Sequence, residues 1–121
     1  MVILVADDDA GVRSVISKIL TTGGYTVLTA RNGKVALDIS RSYQGSICML
    51  LSDVDMPRMG GLALYRDLAA ERPGIKALLI SGRSLGIEKS LNGLPFLQKP
   101  FTSIALRQSV AAVLGTLPPL A

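Results

Sequence analysis

Five of the nine acidic residues in this 121-residue chain fall in two short clusters, Asp7-Asp8-Asp9 and Asp53/Asp55. Ser81 and Lys99 likewise stand where an apolar stretch gives way to polar residues. Carboxylates gathered within a few ångströms repel one another and cannot all stay ionised without a cation. Lys99 supplies one positive charge, too little for Asp7, Asp8 and Asp53 together. A divalent ion is the natural remedy, and oxygen-only ligands at an open site favour Mg²⁺, which keeps waters and accepts phosphate oxygens. A carboxylate beside Mg²⁺, a lysine and a serine can attack phosphorus and give an aspartyl phosphate. Phosphoryl transfer asks mainly for positioning and charge neutralisation, so it needs no histidine as general base. Each residue also has a plainer use: aspartates after strands cap helices or form turns, Ser81-Gly82 is a common turn, and Lys99 suits a solvated surface.

The composition narrows the chemistry further. There is no histidine, one cysteine and no tryptophan. Ser-His-Asp and Cys-His pairs, an HExxH zinc site and a phosphohistidine carrier are therefore excluded. Cys48 lies in the apolar run Ile47-Cys48-Met49-Leu50-Leu51 and reads as a buried inert thiol rather than a nucleophile. The net charge is +4, but the basic residues are scattered singly and only five aromatics are present. That is the pattern of a solvated surface rather than a nucleic-acid footprint, and no direct nucleic-acid partner is expected. The basic balance, with a pI near 9.6, instead points to an acidic face on a partner. Met1 to Ala6 has no basic n-region and runs straight into three aspartates, so neither a signal peptide nor a membrane span is expected. A cytoplasmic protein is the expectation.

These polar residues must be held by regular elements, and the hydrophobic pattern supplies them. Val2 to Ala6 is continuously apolar and ends abruptly in charge, as a buried strand does. Val12, Val15, Ile16, Ile19 and Leu20 follow the spacing of one helix face, with Asp9 placed to cap the helix and Gly23-Gly24 to end it. Tyr25 to Thr29 predicts a second strand, and residues 33–43 a helix with Ala36, Ile39 and Tyr43 inward. Ile47 to Ser52 predicts the third strand. A helix marked by Leu62, Tyr65, Leu68 and Ala69 follows, stopping before Pro73. Ile75 to Ile80 and Leu94 to Gln98 predict two more strands. Thr102 opens a last helix with Leu106, Val110, Val113 and Leu114 inward.

Five β/α repeats without a hairpin signal predict an α/β fold: a doubly wound, five-stranded parallel sheet with helices on both faces. The length suits one domain, with residues 1–115 as the domain and 116–121 as a tail or linker. In open α/β sheets, ligands bind outside the carboxyl ends of the strands. Asp7 and Asp8 follow the first strand, Asp53 and Asp55 the third, Ser81 the fourth and Lys99 the fifth, so the chemically useful residues converge there.

Ile3-Leu4-Val5-Ala6-Asp7-Asp8-Asp9, Asp53-Val54-Asp55-Met56-Pro57-Arg58-Met59-Gly60-Gly61, Ser81-Gly82 and Lys99-Pro100-Phe101 resemble, in order, the motifs of two-component response-regulator receiver domains. The resemblance runs from about residue 2 to 115, and Phe96 to Phe101 is especially similar to receivers of hybrid sensor histidine kinases. It implies the flavodoxin-like (βα)5 fold with strand order 2-1-3-4-5. It also implies a signalling phosphoacceptor, not an enzyme with a turned-over substrate, that takes a phosphoryl group from a partner's phosphohistidine. The partner would be a sensor histidine kinase or a phosphotransfer protein. By the same resemblance Asp53 is the phosphoacceptor, and Mg²⁺ is held by Asp7, Asp8, Asp53 and the backbone carbonyl of Asp55. Lys99 pairs with the phosphoryl group beside a cis Lys99-Pro100 bond. Ser81 moves to bind a phosphoryl oxygen, and Phe96 turns inward as the switch aromatic; a plain core aromatic is the other reading of Phe96.

Three features depart from the family pattern. Phe96 lacks a tyrosine hydroxyl, so a switch here works by packing alone. Asp55 and Arg83 occupy positions that tune phosphoryl lifetime in the family; in this chain they are expected to pair across the mouth and hinder attacking water, with two ordinary surface charges as the alternative. Arg83 to Leu94 is short and contains Gly86, Asn92 and Gly93, so the fourth helix is expected to be short or irregular. Two other functions compete. A haloacid-dehalogenase-like phosphatase shares the Asp-x-Asp element of Asp53-Val54-Asp55, but in the wrong order along the chain. A phosphorylation-independent binding module with the same fold would not need the intact Asp8, Asp53, Ser81 and Lys99 set.

Overall fold

The apolar pentapeptide Val2–Ala6 forms β1 and pairs on both sides, with β2 (Thr26–Ala30) and with β3 (Met49–Asp53), in the computed structural model, which describes residues 1–82 and 93–115. β4 (Lys76–Ser81) adds to β3, and β5 (Phe96–Gln98) to β4. Every pairing is parallel and the spatial order is β2-β1-β3-β4-β5, the predicted arrangement. Four helices are present among the described residues: α1 (Ala10–Thr22), α2 (Gly33–Ser42), α3 (Gly61–Glu71) and α4 (Ser103–Leu114).

Alternation along the strands creates two cores, one on each face of the sheet. Ile3, Val5, Met49, Leu51, Leu78 and Ile80 point to one face and pack beneath Ile16 and Leu20 of α1 and Leu106 and Val110 of α4. Leu4, Ala6 and Leu50 point to the other, beneath Ala36 and Leu37 of α2 and Leu64 and Leu68 of α3. The sheet is thus doubly wound, which is why its strands are continuously apolar. The helices begin where side chains satisfy their first N–H groups: Asp9 accepts from Gly11 and Val12, Asn32 from Val35, and Thr102 from Ala105. α1 ends at Gly23, as predicted, and Gly24 takes a φ of 96° that favours glycine.

Several expectations shift. Val15 is 56% exposed rather than inward, because it lies about 100° round α1 from the buried Ile16. Leu64 is the buried centre of α3, with Leu62, Tyr65 and Ala69 only half-buried beside it. In α4, Ala111 is buried, and Val113 and Leu114 are half-buried. Cys48 is half-buried, with its thiol donating to the Val2 carbonyl at 3.0 Å and its pKa pushed up by burial. β2, β3 and β4 each lie one or two residues further along than their apolar runs, and β5 is shorter, because ladder pairing rather than apolarity sets strand ends. Asp53 and Ser81 are consequently the last residues of their strands. The short segment expected after Ser81-Gly82, with Arg83 in it, lies outside the described residues except for its end at Gly93 and Leu94, as does the tail 116–121.

Arg72, just past α3, stitches the two helices on one face together. Its Nε donates to Ser40 Oγ at 2.7 Å, Nη2 to the Ser40 and Tyr43 carbonyls at 2.8 Å each, and Nη1 to the Gly45 carbonyl at 2.9 Å. It thereby satisfies carbonyls that the end of α2 leaves without intrahelical partners. Arg72→Ala is expected to lower unfolding free energy by about 2 kcal/mol, with the denaturant slope unchanged, in urea titrations. Arg72→Lys should recover only part of this, since an ammonium cannot reproduce the planar fork.

Candidate acidic site at the carboxyl ends of the strands

Parallel register lines up the carboxyl ends of the strands: Ala6 lies opposite Ser52, Asp53 opposite Ile80 and Ser81 opposite Gln98. The residues that leave these ends therefore share one rim. Asp7 and Asp53 are buried, at 1% and 8% exposure, while Asp8 is exposed. Carboxylate oxygens of all three lie within 4.8 Å of one another. Lys99 reaches in from the other side, its Nζ 3.3 Å from Asp53 Oδ2 and 3.5 Å from Asp7 Oδ2. With all three acids ionised, one lysine leaves two negative charges uncompensated.

Backbone donors fix the carboxylates in place. Asp7 Oδ1 accepts from the Asp9 N–H at 2.9 Å, and Asp53 Oδ1 from the Asp55 N–H at 3.1 Å. Asp7 Oδ2 is buried with no hydrogen bond; its ion pair with Lys99 is longer than a good hydrogen bond. Burial raises the pKa of Asp7, an effect that the Asp9 N–H and Lys99 offset only in part. For Lys99, burial acts to lower the pKa, but the charges of Asp53 and Asp7 outweigh it and the net shift is upward. A buried oxygen without a hydrogen bond, two further carboxylates beside it and an exposed opening are what an oxygen-coordinated hard cation requires, so the residues present fit Mg²⁺.

The loop from Asp53 to α3 lies tightly on the strand that precedes it. The Gly61 N–H donates to the Val54 carbonyl at 3.0 Å. A Cβ on Gly61 would stand 2.5 Å from the Asp53 carbonyl oxygen, and one on Gly60 2.7 Å from that of Val54. Only glycine lets the chain turn back so closely under the phosphoacceptor candidate. Arg58, in the same loop, adopts a φ of 70°, a conformation that non-glycine residues rarely hold outside functional loops.

The structure brings together Asp7, Asp8, Asp53 and Lys99. Ser81 ends β4 beside them, fully buried, with its carbonyl accepting from the Lys99 N–H at 2.8 Å. Asp55 is exposed and joins the site through its backbone. Phe96 is half-buried in β5 and packs with Leu94 against Val54 and Leu79. The Lys99-Pro100 bond is cis. Arg83 lies outside the described residues, so its pairing with Asp55 stays an expectation. Arg13 went unnoticed in the sequence: its Nη1 donates to the Asp7 carbonyl at 2.6 Å and fastens α1 to the acidic loop. A single arginine on a helix carries no signal of that role. The Gly60-Gly61 doublet between strand and helix did carry one.

A five-stranded parallel sheet of order 2-1-3-4-5, with an acidic cluster and a lysine outside its carboxyl ends, defines a flavodoxin-like α/β protein whose acidic site fits a divalent cation. Residues 3–111 match the response regulator receiver domain family, and the chain belongs to it. It is 37% identical to sensor kinase CckA of Brucella abortus over 93% of this chain and 12% of that protein. It is 33% identical to response regulator MprA of Mycolicibacterium vanbaalenii over 93% of this chain and 49% of that one. The chain thus spans half or less of these curated relatives. Among solved structures, it superposes on the receiver domain of hybrid histidine kinase CckA with a TM-score of 0.81 at 33% identity, covering 94% of this chain and 99% of that one. It also superposes on response regulator TrrA of Thermotoga maritima, solved in complex with Mg²⁺-BeF, with a TM-score of 0.80 at 26% identity, over 93% of this chain and 97% of that one.

The pKa directions set a testable sign. A carboxyl group whose pKa is raised on folding holds its proton more tightly in the native state, so its contribution to stability falls as pH rises above the ordinary aspartate range. In EDTA at neutral pH, Asp7→Asn should raise the urea midpoint above wild type, and the gain should shrink as pH falls into that range. Lys99 follows the same sign in a higher window: its raised pKa stabilises the fold at neutral pH, and that contribution disappears as pH climbs through the lysine range.

Proposed function

We propose that residues 1–115 act as the phosphoacceptor receiver of a two-component phosphorelay, with Asp53 the residue phosphorylated. The convergence of Asp7, Asp8 and Asp53 on Lys99 at the strand ends carries this reading. A carboxylate oxygen of Asp53 attacks the phosphorus of a partner's phosphohistidine. The P–N bond breaks, its electron pair stays on the imidazole nitrogen, and an aspartyl phosphate remains. Lys99 stands within reach of the incoming phosphoryl oxygens and offsets their charge, while the Asp55 N–H holds the second Asp53 oxygen in place. Asp7, Asp8, Asp53 and the Asp55 carbonyl would hold Mg²⁺, which would supply the remaining positive charge; that TrrA was solved in complex with Mg²⁺-BeF supports the need for this ion. After transfer, Ser81 hydrogen-bonds a phosphoryl oxygen and Phe96 fills the space it leaves. That local change biases a protein-interaction surface between two states. The aspartyl phosphate is then slowly hydrolysed by the protein itself, with Asp55 and Arg83 setting its lifetime.

The donor is a sensor histidine kinase or a phosphotransfer protein, and the setting is the cytoplasm. No helix among the described residues is long and apolar enough to cross a membrane. Neither nucleic acid nor a membrane is a direct partner in this reading. The intact set of Asp8, Asp53, Ser81 and Lys99 favours it over a phosphorylation-independent binding module.

Intact-mass analysis after incubation with acetyl phosphate is the direct test. Wild type with Mg²⁺ should gain one phosphoryl group, and Asp53→Asn none. Asp8→Asn and EDTA-treated wild type should be labelled at least about tenfold more slowly, as expected when charge neutralisation is lost. Folded wild type that neither gains the group nor binds Mg²⁺ would shift the assignment to the binding module.

A further inference from the structure

A cleft of about 590 Å³ opens between the start of α2 and the Asp53–α3 loop, on the face of the sheet opposite α1 and α4. Arg31, Lys34 and Arg58 line it, against a single acid, Asp38. All three cations are exposed, and among the described residues none forms an ion pair or a side-chain hydrogen bond. A second trough of about 330 Å³ shares Val35 and Asp38 with this cleft and continues along α2 past Ile39 to Tyr43. Val35, Ile39 and Tyr43 are only half-buried there, so the groove is cationic at one end and apolar along the rest. From Val35 to Tyr43 the helix adds about 12 Å of length, enough for a short peptide segment and more than a small anion covers.

We infer that this groove docks an acidic-apolar segment of a partner protein, its carboxylates on Arg31, Lys34 and Arg58 and its apolar side chains along Val35, Ile39 and Tyr43. Charge complementarity selects this occupant. Among the described residues a second copy offers a poor match: of eight acids, five are the site aspartates and their neighbours, Glu71 is paired with Arg41 at 2.7 Å, and Asp38 and Asp67 stand singly on α2 and α3. A nucleic acid would leave the apolar trough uncovered. The net charge of +4 favours fast encounter with an acidic partner despite the negative site nearby. This docking surface does not depend on phosphorylation of Asp53.

The test uses a fluorescein-labelled peptide with a run of glutamates followed by leucines and alanines, titrated against the full chain by fluorescence anisotropy. Binding should weaken about tenfold in the double variant Arg31→Glu/Lys34→Glu and fall as ionic strength rises. Ile39→Ala should weaken it severalfold at unchanged charge, and a lysine-headed version of the peptide should not bind. Labelling of Asp53 by acetyl phosphate should be the same in the double variant as in wild type, which separates a lost docking surface from a lost fold and from a failed phosphoacceptor assignment. Absence of peptide binding to wild type would overturn the inference. So would equal affinity for the double variant, competition by duplex DNA that is indifferent to Ile39→Ala, or self-association in sedimentation that the double variant abolishes.

Discussion

Three carboxylates held within 4.8 Å, two of them buried and faced by one lysine, are the constraint around which this protein is arranged. Left to themselves, such groups would move apart or take up protons. They stay because Asp7 and Asp53 are fixed by backbone that the sheet makes rigid. Asp7 leaves β1 and Asp53 ends β3, and these strands are adjacent and parallel. Neither can retreat without dismantling a ladder whose side chains fill both cores. The fold's stability thus offsets a locally unfavourable charge arrangement, and the same arrangement suits the site to a hard cation.

Much of the surrounding detail serves to hold that geometry. Asp9 caps α1 while its N–H holds Asp7, so one residue sets both the helix start and the orientation of a buried carboxylate. Arg13 adds a second tie from α1 to the same loop. Under Asp53, Gly60 and Gly61 let the following loop fold back onto the strand end, leaving little space in which the phosphoacceptor candidate could drift. Further away, Arg72 locks α2 to the end of α3 with four hydrogen bonds. The helix that borders the cationic groove is therefore firmly seated, and the groove's charges rest on a rigid frame.

The distribution of charge explains how a basic protein can carry an acidic site. Five of the nine acids gather at one rim, where Asp7 and Asp53 are buried and act at short range. The positive charge is spread over the surface, with a local concentration at Arg31, Lys34 and Arg58.

Fold class and the convergence of the candidate site's residues were legible in the sequence, because parallel sheets buried on both faces demand unbroken apolar strands and place polar residues where those strands stop; strand order came from the resemblance of the four motifs to receiver domains. Asp7, Asp8, Asp53, Ser81 and Lys99 could be picked out for that reason alone. The side of a helix that stays in solvent was not legible. Val15 fits the apolar spacing of α1, yet the width of the buried stripe depends on what packs against it. Strand ends shifted by a residue or two for a related reason, since pairing partners rather than side-chain polarity decide where a ladder stops. Arg13 and Arg72 were invisible because an arginine's role lies in which distant carbonyls its guanidinium meets. Likewise, only the tertiary structure could join the start of α2 to the Asp53–α3 loop, setting Arg31 and Lys34 beside Arg58 although the sequence separates them by more than twenty residues.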